Sequence, residues 1–425
     1  MIDLKLLRQD PDGTRAAIAR RGDPAAVAAA ERVLEIDRRW RACVAESERL
    51  KAERNAASEE VARRKRRGEG ANELLATLKS SSERAKALEA DARAAEEELH
   101  QALLVLPNIL HADVPPGGAE ANRLVRAWGE PVTPDRRRPH WELGERLGIL
   151  DLPRGTKLSG SGFPVFTGAG ARLVRSLAGF MLDLHTREHG YLEVAPPYLV
   201  SRATLTGTGQ LPKFEEDLYH AGADDLFLIP TAEVPVTNLH RDEILEASAL
   251  PAAFVAYTPC FRREAGAHGK DTRGLLRVHQ FDKVELVRLC RPDASDAEHE
   301  LLTTQAETVL QRLELAYRVV ELAAGDTGFS AARTYDLEVW APGVGAWLEC
   351  SSSSTFTDFQ ARRANLRFRP VAGAKPEFVH TLNASGVAFA RTIAALLETH
   401  QQPDGSVRLP GALAPYFGAD RLASR

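Results

Sequence analysis

With 425 residues, the chain exceeds one ordinary domain and has room for two or three, each able to bury its own core. A formal charge of -4 and an isoelectric point near 6.3 exclude a uniformly basic nucleic-acid binder, while leaving room for a local basic patch. The sequence contains no run of about 18 apolar residues, the length a membrane-crossing helix needs, the opening "MIDLKLLRQDPDG" has no apolar core of signal-peptide length, and Cys43, Cys260, Cys290 and Cys350 form no CxxC pair, which points to a reduced, cytoplasmic setting.

Residues 31–106 contain no proline, and glycine only at Gly68 and Gly70, in a background of Ala, Glu, Arg and Leu that suits long helices. Ile36, Trp40, Cys43, Ser47, Leu50, Arg54, Ala57 and Val61 follow a 4-3-4-3 spacing. Leu74, Leu78, Ser81, Ala85, Leu88, Ala92, Ala95, Leu99, Ala102 and Leu106 repeat it. These are the a and d positions of two coiled-coil helices, and the short break "RRGEGANE" turns them back as an antiparallel hairpin. Beside the turn stand Arg63, Arg64, Lys65, Arg66 and Arg67. The plain reading is a solvated charge run; the other is a stiff projection that meets phosphate at a distance.

From Pro107 to Pro139 prolines punctuate a connecting region. Beyond it, Leu173, Leu177, Phe180 and Leu184 mark a helix over 171–187, followed by "GYLEVAPPYLV", a strand interrupted by prolines. Strands are predicted at 253–263 and 275–289, joined by a polar loop, and again at 316–322, 335–340 and 346–350; helices at 296–316 and 383–399. Strands and helices without a βαβ rhythm make this an α+β domain built on an antiparallel sheet.

The segment "FRREAGAHGKDTRGLLRVHQFDKVEL", 261–286, raises a chemical question. Strand parity puts Arg262 and Glu264 on one face, and Arg277, His279, Phe281, Lys283 and Glu285 on one face of the return strand. Phe281 to Glu285 spans roughly 13 Å at about 3.4 Å per residue. A ligand along that face could stack a ring at one end and set an ammonium at the other, with Arg262 offering a planar fork to a phosphate between them. The alternative is an exposed face whose charges pair across the sheet. The glycine signatures for phosphate fail: "GAHGKDT" lacks the first glycine and the hydroxyl of a P-loop, and "GAGARL" lacks the last glycine of GxGxxG. No HExxH or Cys/His cluster suggests a structural zinc.

In its wording, 261–286 resembles motif 2 of class II aminoacyl-tRNA synthetases, and most closely that of the seryl-tRNA synthetase family. "GTGQLPKF", "TAEVPVTNLH", "LECSSSSTFTDFQARRAN" and "HTLNASGVAFARTIAALLETHQQPDGSVRLPGALAPY" resemble the same family in the same order, over essentially the whole chain. The resemblance implies an N-terminal helical tRNA-binding arm at 1–110 and a class II catalytic domain at 111–425. It implies serine binding by Thr231, Ala232, Glu233, Glu285, Asn383 and Ser385. It also implies ATP binding by Arg262, Arg263, Glu264, Val278, Phe281, Glu349, Cys350, Ser351, Ser352 and Arg391. Arg262 would meet the α-phosphate, Arg391 the γ-phosphate, Glu264 the adenine amino group and Phe281 the adenine ring. Glu349 and Ser352 would coordinate Mg²⁺ on the ATP phosphates, hard oxygen ligands for a hard cation.

Six residues separate Ser385 from Arg391, nearly opposite in angle on one helix, so Ser385 is expected at the helix start. The cations Arg63 to Arg67 would hold the long variable arm of tRNA(Ser), and tRNA(Sec) is a second substrate the resemblance allows. The helix at 171–187 resembles motif 1, which implies a homodimer. Two departures stand beside the site: Ser352-Ser353-Ser354-Thr355 replaces a common Ser-Cys-Ser-Asn, and Ala384 and Ala390 replace common glycines. Rival readings are a ligase loading a carrier protein, a specialised resistance or biosynthetic paralogue, and a coiled-coil scaffold with a dead catalytic domain.

Overall fold

A computed structural model describes residues 1–135, 137–265 and 273–423. The chain divides into two compact units, one of Ile2–Ala19 and Asp23–Pro107, the other of Met1, Arg20–Gly22 and Asn108–Arg425.

The first unit is helical, with α1 (Leu4–Gln9), α2 (Pro11–Ala19), α3 (Pro24–Arg66) and α4 (Asn72–Leu104). Asp23 caps α3 by accepting from the Ala25 amide at 2.9 Å, and Pro24 opens it at a position where no amide is needed. The helix then runs 43 residues, about 65 Å at 1.5 Å per residue. It stops near Gly68, whose φ of +76° reverses the chain. The heptad positions form the seam between α3 and α4: Ile36, Ser47, Leu50 and Val61 are buried on one side, Ala85, Leu88, Ala92, Ala95 and Leu99 on the other. Asp37 is also fully buried, held by Arg8 at 2.6 Å and Arg41 at 2.9 Å.

The second unit is built on eight strands: β1 (Arg123–Trp128), β2 (Leu192–Glu193), β3 (Ala252–Phe261), β4 (Gln280–Cys290), β5 (Tyr317–Glu321), β6 (Arg333–Ala341), β7 (Ala346–Thr357) and β8 (His380–Ala388). Their order is β1-β5-β6-β7-β8-β4-β3-β2, antiparallel throughout except for β2 beside β3. Helices α5 (Ala169–Asp183), α7 (Ser295–Arg312) and α8 (Phe389–His400) pack on the central strands and share one apolar core with them; the short α6 (Glu233–Thr237) lies against β4. Arg21 is buried in this unit and donates to the carbonyls of Asn108, Thr327, Gly328 and Ala331, a four-way clamp that no local sequence pattern announces.

Four expectations need correction. The "helix" at 383–399 is a strand as far as Ala388, and the helix begins only at Phe389. Central β8 is covered on both faces, so 381–387 are all buried and show no alternation to announce a strand. β7 continues to Thr357 rather than ending at 350, which puts the serine run inside a largely buried strand. The proline-punctuated connection contains edge strand β1. Finally, β3 ends at Phe261 and β4 starts at Gln280, so Arg262, Glu264, Arg277 and His279 lie on irregular chain beyond the paired strands. Glu264 takes a left-handed φ of +52°, which ends the extended run.

Candidate active site

Strand β4 supplies the floor. Phe281, Lys283 and Glu285 alternate onto one face, and the β8 register sets Ser385 opposite Glu285. Ser385 therefore sits on a strand and not at a helix start, which removes the angular conflict with Arg391, three residues into α8. Above this floor lies a cavity of about 220 Å³ lined by Arg262, Glu264, Val278, Phe281, Lys283, Glu349, Cys350, Ser351, Ser385 and Arg391 among others. A neighbouring cavity of about 430 Å³ is lined by Thr231, Glu233, Arg262, Glu264 and Arg277. Arg262, Glu264 and Arg277 border both, so the two cavities share a wall of charged side chains.

At one end the Arg262 guanidinium carbon stands 5.2 Å from the Phe281 ring centroid, and its Nε donates to the Pro230 carbonyl at 3.3 Å. Arg277 ion-pairs with Glu264. Arg391 donates through Nη1 to the Glu349 carbonyl at 2.7 Å and through Nε to the Leu276 carbonyl at 3.1 Å. The neighbouring Leu275 amide donates to His140 Nε2 at 2.9 Å. That nitrogen must then be the unprotonated one, leaving Nδ1–H to donate to buried Glu398 at 2.7 Å. His140 thus pins the return of the polar loop against α8. The sequence also suggests that the loop at 265–274 closes over ATP or the tRNA acceptor end; its residues 266–272 lie outside the described residues.

At the other end Glu285 is buried and lines neither cavity; Lys283 Nζ lies 2.5 Å from its Oε2 and donates to Thr231 Oγ1 at 3.0 Å. Glu233 is buried nearby, its Oε1 accepting from Gln360 Nε2 at 2.7 Å. Burial first, and the charge of Glu285 second, push the Glu233 carboxyl up to about 7. Gln360 cannot flip, because its Nε2 also donates to the Thr208 carbonyl at 3.1 Å, which leaves its Oε1 to accept from Thr381 Oγ1 at 2.6 Å. Burial also raises the Cys350 thiol, whose Sγ donates to the Leu337 carbonyl at 3.4 Å. It is a packed side chain, not a nucleophile.

A bulge settles the geometry of β7. Leu337 faces Ser351 and Glu338 faces Glu349, so Cys350 is an extra residue. Glu349 and Ser352, three apart and on opposite faces of a regular strand, thereby share a face with Asp336. Asp336 Oδ1 is buried without a hydrogen-bond partner among the described residues, and its carboxyl is pushed well up by burial, with Glu349 next. Two carboxylates, one of them with its orphaned oxygen, and a hydroxyl on one face form an all-oxygen donor set that fits Mg²⁺.

Of the sequence-derived candidates, Thr231, Glu233, Arg262, Glu264, Val278, Phe281, Glu349, Cys350, Ser351, Ser385 and Arg391 border one or both cavities. Ala232, Asn383 and Glu285 are buried beneath them, Arg263 is exposed and outside, and Ser352 reaches the rim only through its shared face with Glu349. Ala384 is fully buried in the core, and Ala390 borders the smaller cavity. Arg63 to Arg67 belong to the helical unit, where Arg63 and Arg64 lie 3.4 and 3.2 Å from Glu60. Sequence reasoning left Lys283 and Arg277 without roles although parity had set both on the right face, and nothing local pointed to Gln360.

Comparison with known proteins covers both units. The model of the "Seryl-tRNA synthetase N-terminal domain" matches residues 1–110, and that of the "tRNA synthetase class II core domain (G, H, P, S and T)" matches 213–400. A curated relative from Gemmatimonas aurantiaca named "Serine--tRNA ligase" is 59% identical over 425 residues, covering 100% of both chains. Among solved structures, seryl-tRNA synthetase from Pyrococcus horikoshii complexed with ATP is 38% identical with a TM-score of 0.94, over 100% of each chain. A cytoplasmic serine-tRNA ligase from Naegleria fowleri in complex with AMP is 28% identical with a TM-score of 0.90, over 100% of this chain and 99% of the other.

Proposed function

The chain belongs to the seryl-tRNA synthetase family, and from that premise we propose how its side chains share the work of an ATP-dependent serine–tRNA ligase. A serine carboxylate oxygen attacks the α-phosphorus of ATP in line, pyrophosphate leaves, and a terminal ribose hydroxyl of tRNA then takes the seryl group from the adenylate, releasing AMP. No covalent enzyme intermediate and no general base from the protein are needed; positioning and charge neutralisation suffice.

In this reading the adenine ring stacks on Phe281 beside Val278 and Glu264, Arg262 meets the α-phosphate, and Arg391 the γ-phosphate. Serine lies toward Thr231, Glu233, Glu285 and Ser385. The observation that carries the reading is the single line from Phe281 to Glu285 along β4, bordered by two guanidiniums that already converge on one cavity. Glu349 and Ser352, with Asp336 behind them, would hold Mg²⁺. When bound, the ion would neutralise charge on the phosphate oxygens.

Substrate choice follows from the buried polar groups. Alanine leaves a hydroxyl-binding group unpaired, at about 1–3 kcal/mol for each such group, while threonine is excluded by size. The proposal extends to tRNA(Ser) held by the cationic turn of the helical unit, to tRNA(Sec) as a second acceptor, to a homodimer through α5, and to a cytoplasmic reaction. The match of the N-terminal family model over 1–110 argues against the carrier-protein ligase, which has no use for a tRNA arm. The test is ATP–pyrophosphate exchange with serine, threonine and alanine. Serine supports exchange and alanine falls at least about tenfold below it in kcat/KM; absence of serine-dependent exchange refutes the reading.

A further inference from the structure

We propose that Lys283 is a resident stand-in for the substrate's ammonium group, and that serine expels it toward the ATP phosphates, so that one lysine couples the two substrate sites. This rests on the reading of the site given above. Its starting point is that Glu285, the carboxylate suited to the serine ammonium, borders neither cavity, because the Lys283 ammonium lies in front of it. Nζ is 2.5 Å from Glu285 Oε2 and 3.0 Å from Thr231 Oγ1. A carboxylate and a hydroxyl oxygen are the acceptors that a primary ammonium seeks. A binding place for such a group is therefore complete in this structure, and the chain fills it with its own side chain.

The fit is close in distance but poor in direction. Glu285 Oε2 has no hydrogen-bond partner among the described residues, although the ammonium is beside it. A lysine tethered to β4 supplies the charge without an aligned donor. A free amino acid can turn all three of its N–H groups to their acceptors and so displaces the tethered one. Both cations cannot stay, since two ammonium groups would then crowd one carboxylate. An exchange also leaves Glu285 compensated at each stage, whereas a bare carboxylate at 2% exposure would be costly.

The expelled ammonium has a destination. Lys283 borders the cavity that Arg262 and Arg391 border, so its flexible stem carries the charge from the serine end to the phosphate end without leaving the site. Serine is a zwitterion and brings no net charge of its own; the gain of positive potential at the phosphates comes from the lysine. The consequence is positive coupling between serine and ATP, and linkage makes it reciprocal.

The test is titration of the full-length protein with α,β-methylene-ATP and Mg²⁺, an analogue that cannot be attacked productively, with and without saturating serine. In the unmodified protein serine tightens the analogue about tenfold, within the usual 5–150-fold span of such couplings. Lys283→Met reduces the effect below about twofold, whatever it does to the affinity for either ligand alone, and Lys283→Arg restores most of it. Glycerate, which has the carboxylate and hydroxyl but no ammonium, leaves the analogue's affinity unchanged in the unmodified protein, a readout independent of whether any variant folds. Full coupling in Lys283→Met, or coupling by glycerate equal to that of serine, overturns the exchange of ammonium groups. Failure of the unmodified protein to bind serine would instead overturn the reading of the site beneath it.

Discussion

Glu233 shows how a single carboxyl carries the electrostatic state of the serine end. Its proton is held up to about 7, from an ordinary 4.5, by burial and by the charge of Glu285. Between those values the folded chain binds more proton than the unfolded one, so stability falls as pH rises from about 4.5 to about 7 and is level above. A shift of that size corresponds to about 3 kcal/mol. Glu233→Gln keeps an oxygen for the Gln360 amide and removes the titration. The variant therefore gains about 3 kcal/mol relative to the parent between pH 4.5 and 7.5, read from urea unfolding at both ends, and parallel pH curves for the two proteins would refute the assignment. None of this was legible in the tripeptide Thr231-Ala232-Glu233, which carries meaning only through the longer family resemblance. Burial raises the carboxyl first and Glu285, 52 positions away, second, while Gln360, Lys283 and Asn383, 127, 50 and 150 positions away, pull it back down. Lys283 was the nearer miss. Parity had set it between Phe281 and Glu285, and only its contact with Thr231 turns a face residue into a site residue.

For the helical arm and for β8, legibility followed whether one face met water. Helices α3 and α4 bury one stripe each, so a 4-3 spacing from Ile36 to Val61 and from Leu74 to Leu106 was enough to find the seam. β8 is covered on both sides and left no alternation, and its run of small residues into α8 reads as one helix. The bulge at Cys350 was equally silent, yet it decides that Glu349 and Ser352 share a face. The seam also contains a local defect open to test. Ser47 occupies a heptad position, is 3% exposed, and its Oγ has no hydrogen-bond partner among the described residues. An unmade buried hydrogen bond costs about 1–3 kcal/mol, and alanine is the better helix former. Ser47→Ala is expected to stabilise the helical unit by about 1 kcal/mol in denaturant unfolding. A loss of stability would mean that the hydroxyl has a partner there after all.

Across the whole molecule the charge is slightly acidic, at -4, so affinity for an anionic polymer has to come from a concentrated patch and not from the net field. The five cations at the end of α3 are such a patch. They also have a structural use, because positive side chains in the last turn favour the helix dipole, and Arg63 and Arg64 are partly occupied by Glu60. Lys65, Arg66 and Arg67 are exposed and form no ion pair with a described residue, so they are the three whose charge remains for phosphate. Each phosphate they neutralise adds about 0.7–0.9 to the slope of log affinity against log salt. Replacing all three with glutamine is therefore expected to reduce that slope by about 2–3. At moderate salt it raises the KM for tRNA by about tenfold or more, with serine-dependent ATP–pyrophosphate exchange unchanged because that step uses no tRNA. A dipole-only role predicts the opposite pattern: a small loss of helix stability and an unaltered salt slope. Aminoacylation of tRNA(Ser) measured between about 50 and 200 mM salt, the range over which counterion release is steep, separates the two.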